Sequence, residues 1–266
     1  MKGHVNASGF PLQIGIKSLV NETTAQHGWK TIFSEHQWKN PNDGSSGFID
    51  LILEDQHGIS VLIIEAKRVL DTSWIFLIEG ESIENRRHAK SFVFGAENGE
   101  IKRFDWVDLT LNPATLESEY CVIPGGDQRS KSLIERTASD LVSSTEGFAL
   151  EEKALSRQGE RKLRAYFNVI ITTAKLQVCL INPKLVSIAD GTIQDASFTE
   201  VPYLRFRKQL IPHYQIPDVS RFPRGSSINI AQAKESTVFV VNSLHVEEFL
   251  TQFELDSGTI NRSLNF

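Results

Sequence analysis

The sequence predicts an α/β protein with a mixed central sheet flanked by helices, and three features carry that reading. Two aliphatic runs, Phe48–Glu54 and Ile59–Arg68, flank a short glycine-bearing turn. Helical periodicity appears before this pair and again well after it. A third aliphatic run, Tyr166–Ile181, follows the second helical stretch. A hairpin followed by a helix that returns the chain to the sheet buries both sheet faces and gives strands of both orientations.

Taken in order, residues 12–27 read as a helix because Leu12, Ile16, Leu19 and Thr23 fall on one face. Gly28 stands where a glycine ends a helix. Trp29–Trp38 reads as a strand, and the following KNPNDGSSG is a loop by its turn residues. The two aliphatic runs form a hairpin about Asp55-Gln56-His57-Gly58. Trp74–Ile78 is read as a further strand and Glu81–Lys90 as a helix. A long amphipathic helix is expected over Arg129–Ser156, on Ile134, Ala138, Leu141, Thr145 and Phe148, with Gly147 as a point of interruption. Tyr166–Ile181 supplies one or two buried strands, stopped by Asn182-Pro183. The last part is loop-rich between Pro202 and Pro223, then holds a strand at Thr237–Asn242 and a short helix at Leu244–Phe253. The expected organisation is α-β-β-β-α-β over residues 1–185, with a C-terminal extension over 186–266 packed on that core.

Composition narrows the function classes. Hydrophobic residues at 40% and charged residues at 23% of 266 are ordinary for a globular chain. No run approaches the roughly 18 apolar residues of a membrane span. The opening MKGHVNASGF lacks an apolar stretch, which argues against a secretory signal and for a cytoplasmic protein. Cys121 and Cys179 lie far apart in apolar surroundings and read as free thiols. Zinc spacings, phosphate-binding glycine loops and the G-x-S-x-G elbow are all missing from the sequence. The net charge of −5 weighs against extensive phosphate contacts. Basic clusters nevertheless occur at Arg86-Arg87, Arg157–Arg164, Arg205–Lys208 and Arg221–Arg224. Trp29, Trp38, Trp74 and Trp106 are read as core residues before base-stacking ones.

One constellation carries chemistry. Asp50 interrupts an otherwise apolar strand, where a carboxylate is expensive to bury. Glu65 and Lys67 share a face of the next strand, and the hairpin geometry sets Asp50 roughly opposite Glu65, within about 5 Å between Cβ atoms. Two carboxylates so close resist ionising unless a cation joins them. Magnesium suits such a hard oxygen pair, and a lysine on the same face can orient water or stabilise developing negative charge. The alternative is a purely structural, buried salt-bridged triad.

Gly47-Phe48-Ile49-Asp50, followed after 14 residues by Glu65-Ala66-Lys67, resembles the PD-(D/E)XK nuclease superfamily, which includes restriction endonucleases and Holliday-junction resolvases. Ile49 stands where that motif usually has proline. The resemblance covers roughly residues 10–185 and implies a restriction-endonuclease-like core. It further implies a metal site of Asp50, Glu65 and the Ala66 backbone carbonyl, with Lys67 as the catalytic lysine and Mg²⁺, or Mn²⁺ in its place, as cofactor. The additional helix acid of the superfamily falls on Glu22. Gln13 on the same helix and Glu35 on the first strand are the other options, and Gln128 and Lys131 are candidates from the second helix. The implied partner is nucleic acid, DNA before RNA, in restriction, antiphage defence or repair, with dimerisation and a protein partner for the C-terminal extension as further expectations and no membrane partner. The competing expectations are a nuclease fold that binds nucleic acid or assembles without catalysis, favoured by the net acidity, and an RNA-cleaving effector.

Overall fold

The computed structural model describes residues 1–80, 84–125, 132–155, 162–210, 231–256 and 258–259. A short α1 (Lys2–Ala7) leads into α2 (Phe10–Glu22) and α3 (Thr24–His27). The expected single helix over 12–27 is therefore broken at Thr23, whose hydroxyl donates to the Leu19 carbonyl. Three strands follow: β1 (Lys30–Lys39), β2 (Ser46–Glu54) and β3 (Ser60–Lys67). Next come β4 (Ser73–Glu79), the long hairpin β5 (Arg86–Glu97) and β6 (Glu100–Thr115), and the short β7 (Glu117–Ser118) and β8 (Tyr120–Val122). Helix α4 (Leu133–Ala154) returns the chain to β9 (Lys162–Thr172) and β10 (Lys175–Ile181). The remainder contributes β11 (Ser197–Glu200), β12 (Tyr203–Gln209), β13 (Glu235–Asn242), α5 (Val246–Gln252) and β14 (Glu254–Leu255).

The result is a mixed α/β architecture. The main sheet runs β1-β2-β3-β9-β13-β12-β7, with β5 pairing the first half of β9 and carrying β6 outward. Strands β1, β2 and β3 are antiparallel neighbours, while β3, β9 and β13 run parallel. A smaller sheet has the order β11-β10-β4-β8. The central strands are apolar on both faces because both faces are covered. One layer packs Ile52, Ile63, Ile170 and Val240 against Ile134, Leu141 and Phe148 of α4. The other packs Leu51, Leu62, Val169 and Val241 against Ile16 and Val20 of α2 and Phe249 of α5. All four tryptophans lie in these layers, each 5% exposed or less.

The hairpin that positions the site is closed by its own turn chemistry. The Asp55 carboxylate accepts from the Ile59 amide at 2.9 Å, and Gly58 adopts φ 65°, a left-handed conformation that costs glycine little. That turn locks the pairing Leu53↔Leu62 through Leu51↔Ile64. A one-residue slip would turn every side chain of the strand to the other face. Gly147 does not interrupt α4. A Cβ there would lie 3.2 Å from the Lys39 carbonyl oxygen and from the Trp38 ring, so the glycine lets α4 approach the β1 backbone closely.

A further expectation needs correction. The stretch read as a helix over Glu81–Lys90 is the start of β5 from Arg86 onward, with residues 81–83 outside the described set. Pairing of this stretch with β6 outweighs local propensity there. The basic cluster Arg205–Lys208 is no solvated patch, because β12 is an internal strand between β13 and β7. Arg205 is fully buried, Arg207 pairs with Glu235 and Asp108, and Lys208 pairs with Glu135. Arg164, from the second cluster, is likewise held by Glu54 and Glu152, both at 2.9 Å. Residues 156–161 and the cluster Arg221–Arg224 lie outside the described residues, as do Gln128 and Lys131. Strands β12 and β13 and helix α5, all from the segment after residue 186, join the main sheet and one of its layers. Among the described residues no helix is long and apolar enough to cross a membrane.

Candidate active site

Asp50, Glu65 and Lys67 come together where β2 and β3 part. Continuing the hairpin register one residue beyond Leu51↔Ile64 sets Asp50 across from Glu65. The Asp50 carboxylate takes over the role of a backbone acceptor there: its Oδ2 accepts from the Ala66 amide at 2.7 Å. Within a strand, a residue's amide and carbonyl leave on the same side. The Ala66 carbonyl therefore emerges toward Asp50, while the next carbonyl, that of Lys67, accepts from the Thr173 amide on the β9 side. Lys67 reaches back along its own strand and donates to Glu65 Oε1 at 2.5 Å.

Both strands carry a matched irregularity at this level. Pairs Ser34↔Leu51 and His36↔Ile49 bracket Glu35 and Asp50 without a change of register. Side chains three residues apart face opposite ways on a regular strand. Yet Ile49 and Ile52 both enter the layer beneath α4, and Phe33 and His36 both meet the Phe148 ring. The break in alternation coincides with Glu35, whose φ of 52° is strained for a residue with a side chain. Glu35 thus faces Asp50 across the β1–β2 boundary and adds negative charge to its surroundings.

The electrostatics follow from this crowding. Burial pushes the Asp50 carboxyl up to about 6, with the neighbouring Glu65 charge adding to the rise. The Ala66 amide and the Lys67 ammonium pull the other way, and Glu35 contributes a smaller rise. A carboxylate with this burden is the kind of group that concentrates at functional sites.

A cleft of about 220 Å³ opens beside Glu65 and Lys67. Its opposite wall is α4, through Thr137, Asp140, Leu141 and Ser144, and Trp38 and Ser45–Ile49 complete it. Asp140 was not evident from the sequence. The signal for it lay in the polar positions Thr137, Asp140 and Ser144, which recur at helical spacing beside the apolar stripe. Burial raises the Asp140 carboxyl pKa, and the Lys67 charge is the largest influence opposing that rise.

The other candidates are sorted by position. Glu22 ends α2, is exposed, and accepts a 2.6 Å hydrogen bond from Ser18; it is not brought to Asp50. Gln13, one of the alternatives on that helix, is buried and donates through Nε2 to the Asp50 carbonyl at 2.7 Å. It braces the backbone at the site. Among the described residues, no three His, Cys, Asp or Glu side chains converge as a metal-holding group. The oxygen donors present are two carboxylates and one backbone carbonyl. That set fits a hard cation that keeps much of its water, as magnesium does, and does not fit a closed zinc cage.

Compared with known proteins, the chain matches no family model, no curated protein and no solved structure.

Proposed function

We propose that this protein is a divalent-metal-dependent nuclease of the PD-(D/E)XK type, hydrolysing phosphodiester bonds, with DNA as its substrate. The observation that carries the reading is the Asp50–Ala66 hydrogen bond at the parting of two buried strands, with Glu65 and Lys67 beside it. A carboxylate could be spared from this place by almost any apolar residue, whose burial would stabilise the strand by roughly 1.5–3 kcal/mol. The succession α2, β1–β3, α4, β9, with β9 parallel to β3, supports a restriction-endonuclease-like core. In that view β4–β8 are an insertion between the third strand and the second helix.

The roles follow from the geometry. Asp50 uses one oxygen to fix the Ala66 amide and keeps the other for a ligand. Glu65 and the Ala66 carbonyl are the remaining donors. A divalent cation bound there supplies Lewis-acid polarisation of a phosphodiester and favours ionisation of water. Lys67 holds a positive charge at the cleft, where it stabilises negative charge developing on the phosphate and orients an attacking water. Gln13 keeps the Asp50 backbone in place from the opposite face.

A second reading is favoured by one observation. The 2.5 Å Lys67–Glu65 pair is complete by itself, as expected if the fold binds or assembles without catalysis. Incubation of the protein with plasmid DNA, single-stranded DNA and RNA, each with Mg²⁺, Mn²⁺ or chelator, separates the two. Metal-dependent cleavage of DNA supports the nuclease reading. Cleavage confined to RNA transfers the activity to the RNA-cutting alternative, and no cleavage in any arm favours the non-catalytic one.

A further inference from the structure

Glu65 is asked to do two things. It neutralises Lys67 at 2.5 Å, and under the nuclease reading it is also a ligand for a divalent cation. A carboxylate shared between an ammonium on one oxygen and a cation on the other serves each less well, since the two positive charges repel one another across it. Lys67 therefore needs a second anion within reach if it is to stay in the cleft while Glu65 is engaged. Asp50 does not meet the need, because it belongs to the same ligand set.

Among the described residues that line the cleft, one further carboxylate comes from a different element. Asp140 projects from α4 across the same cleft that Glu65 and Lys67 line. Its neighbours Thr137 and Ser144 give that wall a polar character. Among the described residues, the charges that act on Asp140 are those of Lys67 and of Arg136, one turn earlier on its own helix. A lysine carries its charge on a flexible four-carbon stem and changes partner without moving the backbone. Gly147 lets α4 pack close against β1, the strand that carries the cleft residue Trp38.

We infer that Asp140 is a positioning residue, the second partner of Lys67, which accepts its ammonium when Glu65 is engaged as a ligand. Lys67 is then retained beside the scissile phosphate rather than released to solvent. The assignment rests on the nuclease reading and adds to it a residue that acts on metal affinity through Lys67, not by touching the cation.

Mn²⁺ binding to the full chain without nucleic acid, followed by calorimetry or electron paramagnetic resonance, tests this. Four proteins are compared: wild type, Asp140→Asn, Lys67→Gln and the double variant. Asp140→Asn is expected to weaken Mn²⁺ binding on the order of fivefold, because Lys67 then stays on Glu65. In the Lys67→Gln background the same substitution is expected to change nothing, since no ammonium remains to relocate. Equal weakening in both backgrounds overturns the inference and makes Asp140 a direct influence on the cation. An unchanged affinity in Asp140→Asn also overturns it. If wild type binds no Mn²⁺ at all, the metal-site reading itself fails, and the inference with it. Asparagine preserves the shape of the side chain, and coincident melting curves confirm that all four proteins are folded.

Discussion

The Ala66 amide donates to the Asp50 carboxylate at 2.7 Å, at the point where the ladder between β2 and β3 stops. A charged side chain replaces a backbone carbonyl as acceptor, inside a sheet whose neighbouring residues are apolar on both faces. Sheet stability alone does not require that exchange, and its consequences are measurable.

The first consequence is a pH-dependent liability. Asp50 is pushed up to about 6 from 3.8, chiefly by burial and then by Glu65. The folded chain therefore keeps its proton over a range in which the unfolded chain has lost it. Stability at this site falls as pH rises from about 4 to about 6, and above that window the ionised carboxylate is a constant penalty. Asp50→Asn retains an acceptor for the Ala66 amide and removes the charge. It is expected to raise stability at pH 8 by about 1–3 kcal/mol, read by chemical denaturation, with no gain at pH 4. A loss at pH 8 contradicts this account of the Asp50 environment.

A cation that binds the folded chain only should offset the same penalty. At a free concentration one hundred times its dissociation constant, a ligand stabilises by about 2.7 kcal/mol. Melting curves with Mg²⁺ or Mn²⁺ are expected to shift upward for wild type and to stay put for Asp50→Asn and Glu65→Gln. Equal shifts in all three proteins place the binding elsewhere.

Glu35 pays a backbone penalty for its place opposite Asp50. A left-handed conformation costs a residue with a Cβ about 1–2 kcal/mol, and glycine almost none. Comparing Glu35→Gly with Glu35→Ala isolates that strain, because both remove the carboxylate. The glycine variant is expected to be the more stable by about 1 kcal/mol. Alanine equal to or better than glycine means that the φ of 52° is not held in solution.

Gly147 makes a prediction of the opposite sign. Glycine inside a helix is normally improved by alanine, by about 1 kcal/mol. Here the new methyl meets the Lys39 carbonyl and the Trp38 ring at 3.2 Å, neither of which can yield easily. Gly147→Ala is expected to destabilise the protein by about 1–2 kcal/mol in equilibrium unfolding. A stabilised variant shows that α4 sits farther from β1.

What the sequence revealed follows from how local each signal is. The β2–β3 hairpin was legible because Asp55 and Gly58 fix the turn and with it the register, which sets Asp50 opposite Glu65; the break in alternation between Ile49 and Ile52 was not legible. Helix α4 was legible from its apolar stripe. The hairpin β5–β6 carried a local signal that went unread, because Asn98-Gly99 forms its two-residue turn with both residues at positive φ; what no local pattern shows is the pairing of β5 with β9 about 70 residues later in the chain. The burial of Arg205 was hidden for the same reason: RFRK reads as a basic surface until β13 and β7 enclose it. At the site, the hairpin residues Asp50, Glu65 and Lys67 lie together as their strand positions imply, whereas the residues that other elements bring to them were harder to read. Glu22 looked like the helix acid, yet α2 turns Gln13 inward, and Asp140 is delivered by a helix some 70 positions downstream.

The central claim is that Asp50, Glu65 and Lys67 form one metal-dependent hydrolytic site. Single-turnover cleavage of DNA in Mg²⁺, comparing wild type with Asp50→Asn and Lys67→Ala, tests it most directly. Wild type is expected to show chelator-sensitive cleavage and each variant a loss of at least about a hundredfold, with both variants still folded. Cleavage that proceeds at the same rate in all three proteins contradicts it.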